Sequence, residues 1–589
     1  MIKALDDFTP KQIGENGNVE YTWSNNVREQ ITQLHFQLTR TNEESYQIVR
    51  LENQVRNILQ TLKQRQDSVK YHEVTIAYLT IMYRMIGYTR DIIDGKGEYT
   101  LTYMMIYVWH DYYPELAQFA LKCLFYLENE NSHPYGSWKD IKKFCQYCSN
   151  KDLQHYQLYN DNHHPLIYDA IQLLNDQIRK DKANMDNQLT NISLAAKWAP
   201  REKSSCSWLF KLLAQNYFSH YLESGRKANK LDKAELKCYT DYRKLLTGLN
   251  RKLDTLQIKQ CENRWSDIDF NKVTSISFSK QKNAFLNIIN NHERYPDRED
   301  RVICAQHFTE HIQKSIREGK EIKGKRVGME SFTKQALELL RMEYLEPSTQ
   351  LQIDLLNSQW RDNSTQTDAL GKMIAMVDVS GSMNGDPLNA AIALGIRVAE
   401  KCILGKRVMT FSSRPEWVNL SNCDDFVSAV NLLKNSSWGM NTNLYAGFKM
   451  ILDSIEESKL PPEEVQDLVL VIFSDMQIDD AEKGDKNTLH ENIIKMYSDA
   501  GIRIHGKPFK PPHILFWNLR STSGFPTLSN QPNVTMMSGF NPSLLNLFCE
   551  QGIEALQSCS PWSQLERSLE NERYNIMKQY ALSYFEQLK

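Results

Sequence analysis

Long apolar runs are missing from this sequence of 589 residues. Leu101–Trp109 and Leu468–Phe473, among the longest, fall well short of the ~18 residues that a membrane-spanning helix needs. A surplus of either charge is missing too: Lys+Arg (70) against Asp+Glu (72) gives a formal net charge of −2. Any phosphate-binding surface must therefore be local. The opening MIKALDDFTPKQ carries acids where a signal peptide would be apolar, so neither secretion nor membrane insertion is expected. A disulfide framework is also lacking. The 11 cysteines are odd in number and irregularly spaced. The Cys145–Cys148 pair has no partner pair at zinc-ribbon distance and lies in helical SWKDIKKFCQYC, which makes both thiols packing residues. This usage points to a reducing, intracellular and cytoplasmic setting. No G-x-x-x-x-G-K-[ST], H-E-x-x-H or G-x-S-x-G stands in a supporting context, and the 14 histidines are scattered. A non-enzymatic protein is expected, with metal-dependent phosphoryl transfer the remaining catalytic alternative.

What is present is the composition of a folded chain: 41% apolar, 10% aromatic and 24% charged residues. Residues 1–45 are polar and weakly periodic, which reads as an irregular lead-in. From 46 to 345 the apolar spacing is helical, and YHEVTIAYLTIMYRMIGYT and LTYMMIYVWHDYYPELAQFALKCLFYL are too densely apolar for isolated surface helices. They imply a solenoid-like or bundle-like domain without a fixed repeat. The polar residues 346–370 read as a linker, and 371–555 as a separable domain followed by a C-terminal helix over 556–589. In 371–555 the strand candidates KMIAMVDV, RVMTFSS, DLVLVIFSDM, HILFWNLR and VTMMSGF alternate with helical stretches. That alternation predicts a doubly wound, mainly parallel α/β fold behind an α-helical region.

The sharpest motif is Asp378-Val-Ser380-Gly-Ser382 at the carboxyl end of the first strand candidate, where open α/β sheets bind ligands. A carboxylate and two hydroxyls at alternating positions can converge on a hard cation once the chain curls, with Gly381 easing the curl. Thr442, in a glycine-containing loop before a helix, and Asp475, at the end of the most apolar strand, have similar placement. A phosphatase-type aspartate would want an acid/base Asp two residues on, but that position is Ser380.

The set D-x-S-x-S, then Thr, then Asp resembles the metal-ion-dependent adhesion site of von Willebrand factor A domains, over roughly residues 370–555. The resemblance implies Mg²⁺ or Mn²⁺ held by Asp378, Ser380, Ser382, Thr442 and Asp475, with one position left for a partner's acidic side chain or another anion. TRDIIDGKGEYTLTYMMIYVW, HPYGSWKDIKKFC, SLAAKWAPREKSS, MIAMVDVSGSM, GMNTN, VIFSDM and FWNLR together resemble an uncharacterised family of plants, fungi and giant DNA viruses. Its order of domains is similar to that of TROVE proteins, including the Ro autoantigen, in which a helical ring joined to an A-like domain binds RNA. That likeness implies RNA as one partner, and a virion location if the chain is viral. The alternative partner is a protein whose acidic side chain reaches the metal, with no RNA at all. Candidate RNA-contacting residues are Arg90, Lys96, Trp138 and Lys139 at helix boundaries. Lys320, Lys323, Lys325 and Arg326 join them from a basic stretch that Gly319 and Gly324 mark as a loop.

Overall fold

The structure is a computed structural model that describes residues 9–42, 45–66, 68, 72–127, 133–154, 163–289, 292–342, 347–436, 439, 442–479, 486–549 and 553–588. Two compact units emerge. One gathers the described residues of Met1–Met85, Asp94–Lys96 and Phe270–Glu572; the other gathers Ile86–Ile93, Gly97–Asp269 and Arg573–Lys589.

The first unit is built on six strands: β1 (Met373–Asp378), β2 (Arg407–Phe411), β3 (Glu416–Asn419), β4 (Val469–Ser474), β5 (His513–Asn518) and β6 (Val534–Ser538). Their order across the sheet is β6-β5-β4-β1-β2-β3, parallel throughout except for β3 against β2. The near-continuous apolar strands follow from burial on both faces. Met376, Leu470, Ile472, Ile514, Phe516 and Met536 alternate onto one face and share a core with Phe448, Ile451, Ile493 and Tyr497 from two helices. Those helices are Leu444–Ser458 and Leu489–His505. On the other face the helix Asp386–Lys401 lies so close that a Cβ on Gly395 would stand 2.5 Å from Val377 Cγ2. The doubly wound, mainly parallel sheet is thus as the sequence predicts. The chain steps from β1 towards β2 and from β4 towards β5 in opposite directions. The crevice above the neighbouring strands β1 and β4 is therefore the topological switch point, where ligands bind in such sheets.

Two expectations about the flanks of this domain need correction. Residues 346–370 are no linker: Pro347–Ser364 is a helix with Leu351, Leu355, Leu356 and Trp360 buried. Its polar residues misled, because Asn357, Ser358, Gln359 and Asn363 are buried as well and bond neighbouring backbone and side chains. Of the expected lead-in 1–45, the described residues 9–42 and 45 also belong to the body of the unit. Strands Lys11–Ile13 and Val19–Tyr21 form a hairpin that bridges to Asp479, Thr488 and Phe525. The helix Val27–Gln37 follows, with Ile31, Leu34 and Phe36 fully buried.

The second unit is helical among the described residues. It contains Thr100–Tyr112, Pro114–Cys123, Lys139–Gln154, Pro165–Asp186, Ser207–Tyr217, Leu231–Leu253 and the C-terminal Asn575–Gln587. Nine consecutive residues, Leu101–Trp109, are buried, which explains why that stretch is apolar all round. The helical region 46–345 is therefore divided: its first and last parts join the sheet unit, and its middle joins the C-terminal helix.

Candidate metal centre

Asp378 is the last residue of β1, and the register that pairs Val377 with Phe473 brings it level with Ser474 at the end of β4. The Ser474 hydroxyl donates to Asp378 Oδ2 at 2.6 Å, and the Ser380 amide donates to Oδ1 at 2.9 Å. Ser380 Oγ and Ser382 Oγ lie 3.1 Å apart in the turn that follows. The curl falls one glycine later than expected. Gly381 opens a short 3-10 turn, whereas Gly385, at φ +99°, takes the left-handed conformation ahead of the next helix.

Asp475 follows β4 directly. Its Oδ1 accepts the Gln477 amide at 3.1 Å, while its Oδ2 is buried with no hydrogen-bond partner. Thr442 is tied to the same rim: its amide donates to Asp479 Oδ2 at 2.9 Å, and the Asp479 amide donates to its carbonyl. Gly439, in the same loop, forms a parallel bridge with Ser380. The Thr442 hydroxyl is fully buried and also without a partner. The five residues expected at the site thus come from three chain-separated segments that meet on the rim at the switch point.

The electrostatics of this cluster are unfavourable to its own charges. Burial, reinforced by the carboxylate of Asp475, pushes the Asp378 carboxyl up to about 7. Burial also raises Asp475, against the lowering effects of the Gln477 amide, the Ser382 hydroxyl and the nearby Arg520. Two desolvated carboxylates, one of them with an unpartnered oxygen, the orphaned Thr442 hydroxyl and two serine hydroxyls form an all-oxygen donor set. That chemistry fits a small hard divalent cation.

Sequence reasoning missed Ser474, Asp479 and Arg520. The adjacency of Ser474 to Asp475 was a signal, since alternation along β4 aims one of them across at Asp378. Met476 was not readable: it has φ +63° with its amide on Ser474 Oγ, a left-handed conformation rare outside glycine.

The candidate RNA-contacting residues fare differently. Arg90 is buried and makes a two-point pair with Asp140 at 2.6 and 2.9 Å, so it is a structural cation and not a surface one. Lys96 is equally buried. Its Nζ donates to the carbonyls of His35 and Leu38 and to Ser538 Oγ, which removes it from the candidates. Trp138 lies flat on Phe125, with ring centroids 5.6 Å apart, and one of its faces is thereby taken. Lys139 is half-buried near Tyr99 and Trp198. Lys320, Lys323, Lys325 and Arg326 are exposed, but three of the four are engaged locally, on Glu318, the Asn271 carbonyl and Gln366. Gly324 is there for close packing: a Cβ would collide with the Gln359 backbone. Cys145 and Cys148 are buried in the helix Lys139–Gln154 as packing residues.

A further group of metal-ligating residues, His110, Asp111 and His164, has donor atoms within 4.8 Å of one another in the helical unit. Adjacent residues on a helix diverge, and His164 Nδ1 already accepts the Leu166 amide as a helix cap, so this group is poorly arranged to enclose an ion.

Residues 372–581 match a family described as a domain of unknown function, DUF7788, and residues 149–298 match a second, DUF2828. Over 473 residues the chain is 30% identical to the uncharacterized protein L728 of Acanthamoeba polyphaga mimivirus, a match covering 77% of this chain and 74% of that protein. Among the described residues no helix is long and apolar enough to cross a membrane.

Proposed function

The chain belongs to the same family as the giant-virus protein L728, and on that premise we propose that it is a non-enzymatic, cation-dependent binding protein. The rim above β1 and β4 holds Mg²⁺ or Mn²⁺ through Asp378, Ser380, Ser382, Thr442 and Asp475. A partner's carboxylate or another anionic group completes the shell. The observation that carries this reading is the pair of buried, unpartnered oxygens, Thr442 Oγ1 and Asp475 Oδ2, beside a second carboxylate that resists ionisation. Leaving such atoms unsatisfied costs about 1–3 kcal/mol each, and a divalent cation among them removes that penalty. The likeness to the metal-ion-dependent adhesion site of von Willebrand factor A domains supports the same assignment. In this reading the protein is an adaptor in a reducing intracellular setting.

Isothermal titration with Mn²⁺ tests the assignment. Wild type binds one ion, and Asp378→Ala does not, while its circular dichroism and cooperative unfolding remain those of a folded protein. Equal Mn²⁺ affinity in the two proteins refutes the site.

A further inference from the structure

Resting on the cation site above, we propose that Arg520 makes that site selective for a phosphate monoester, which bridges the bound ion and the Arg520 guanidinium. Arg520 stands at the carboxyl rim of the sheet, just beyond the end of β5 at Asn518. The register pairs Asn518 with Ser474, and the Leu519 amide donates to the Ser474 carbonyl at 3.0 Å, so the chain leaves β5 beside Asp475. Arg520 Nη2 then donates to the Asn384 carbonyl at 3.2 Å. Asn384 belongs to the turn after β1, where its amide donates to the carbonyl of Gly381, the residue between Ser380 and Ser382. In the order β5-β4-β1, the side chain therefore crosses the end of β4, where Asp475 lies.

The backbone that carries Arg520 is fixed on both sides. Its amide donates to Asn518 Oδ1, and the buried Asn518 Nδ2 donates to the Phe36 carbonyl. The Ser521 hydroxyl and the Thr522 amide both donate to Gln37 Oε1, and Arg50 donates to the Thr522 carbonyl. The Arg520 side chain itself is half-buried. Among the described residues it forms no ion pair within contact distance, and its Nε and Nη1 make no hydrogen bond. With only the Asn384 carbonyl on Nη2, one two-point edge of the guanidinium stays open.

Charge and oxygen count select the ligand. Arg520 acts on Asp475 through its charge, lowering a carboxyl that burial raises. Towards a divalent ion among the same oxygens that charge is repulsive. An anion with oxygens on both cations removes the repulsion. A carboxylate has only a pair of oxygens, and a phosphodiester only a pair of non-bridging ones. With one of these on the ion, neither group can fill a two-point edge. A phosphate monoester has a third acceptor oxygen and carries about −1.5 to −2 charge at neutral pH. One oxygen enters the shell of the ion and the others accept from the fork, a pairing that guanidinium geometry favours. Magnesium ions held by few carboxylates complete their shells with phosphate oxygens in the same way.

Calorimetric titration of the full-length, Mn²⁺-saturated protein tests this with a capped phosphoserine tripeptide, its glutamate counterpart, dimethyl phosphate and glycerol 2-phosphate. Wild type binds the phosphoserine peptide about tenfold or more tighter than the glutamate peptide or dimethyl phosphate, and releases it in EDTA. Arg520→Gln weakens phosphoserine binding about tenfold or more, while its affinity for Mn²⁺ alone equals or exceeds that of wild type. That second result shows the fold and the ion site intact. Arg520→Lys falls between the two, because it keeps the charge without the fork. Glycerol 2-phosphate identifies the source: affinity equal to that of the peptide assigns the site to small phosphate esters, and weaker affinity to a phosphorylated protein. Equal binding of the phosphoserine and glutamate peptides, phosphoserine binding that is absent or persists in EDTA, or an Arg520→Gln variant that keeps it or binds Mn²⁺ more weakly each overturns the proposal and leaves the cation site standing. Wild type that binds no Mn²⁺ overturns the cation site, and the role of Arg520 with it.

Discussion

Trp360→Ala is the perturbation that most directly asks whether the helix Pro347–Ser364 belongs to the core of the sheet unit. Trp360 is 2% exposed. Its ring stacks on Phe426 at 4.0 Å, meets Phe332 edge-on at 5.2 Å and carries the Arg397 guanidinium 4.1 Å from its centroid. Its Nε1 donates to Glu400 at 2.9 Å, and Glu400 is also the ion-pair partner of Arg397, whose side chain is fully buried. A tryptophan buries about 150–250 Å². At about 25 cal/mol per Å² that corresponds to roughly 4–6 kcal/mol, within reach of the 3–5 kcal/mol seen when large aromatic core residues become Ala. Loss of the ring also strips Arg397 of its cation–π contact, another ~1–2 kcal/mol at a desolvated position. Urea unfolding followed by intrinsic fluorescence and circular dichroism should show destabilisation of at least 3 kcal/mol. Limited proteolysis should then cut the variant, but not the wild type, within residues 347–364. A loss below 1 kcal/mol, or early cleavage of the wild type in this helix, would refute the packing argument and restore a linker.

Two further outcomes follow from buried polar groups. Thr442→Val removes a buried hydroxyl that has no partner and keeps the side-chain shape, so the cation-free protein should be as stable as wild type or slightly more so while Mn²⁺ affinity falls at least tenfold; unchanged affinity would remove Thr442 from the donor set. Burial lowers His513 to about 4, so an unfolded chain takes up its proton first and stability is lost as pH falls from about 6.5 towards 4. The stability gap between wild type and His513→Gln should accordingly shrink by about 2 kcal/mol between pH 7 and pH 5, and parallel curves would contradict the neutral buried imidazole.

The α/β part of this fold was legible because parallel strands buried on both faces leave a local mark: KMIAMVDV and DLVLVIFSDM are apolar runs too short for helices in such a context. Strand-end position then places Asp378 and Asp475 on one rim without any long-range information. The flanks are not legible in the sequence, because polar residues there are buried. In the helix Val27–Gln37 the apolar residues Val27, Ile31 and Leu34 keep helical spacing, but Glu29, Gln33 and Gln37 are buried beside them and bond Ser529, Ser24 and Gly524. A side chain that satisfies distant backbone looks the same in sequence as one that faces water.

The same ambiguity decides the fate of the basic residues. Arg90 and Lys96 sit within seven positions of each other near a glycine-rich turn, and nothing local distinguishes them from phosphate ligands. What distinguishes them is the partner brought by tertiary structure. Asp140 matches the Nε–Nη2 edge of the Arg90 guanidinium, and two carbonyls and a serine hydroxyl take donors of the Lys96 ammonium. A cation buried on such partners stabilises the fold and is closed to a surface ligand, even though one Arg90 nitrogen, Nη1, is left without a partner.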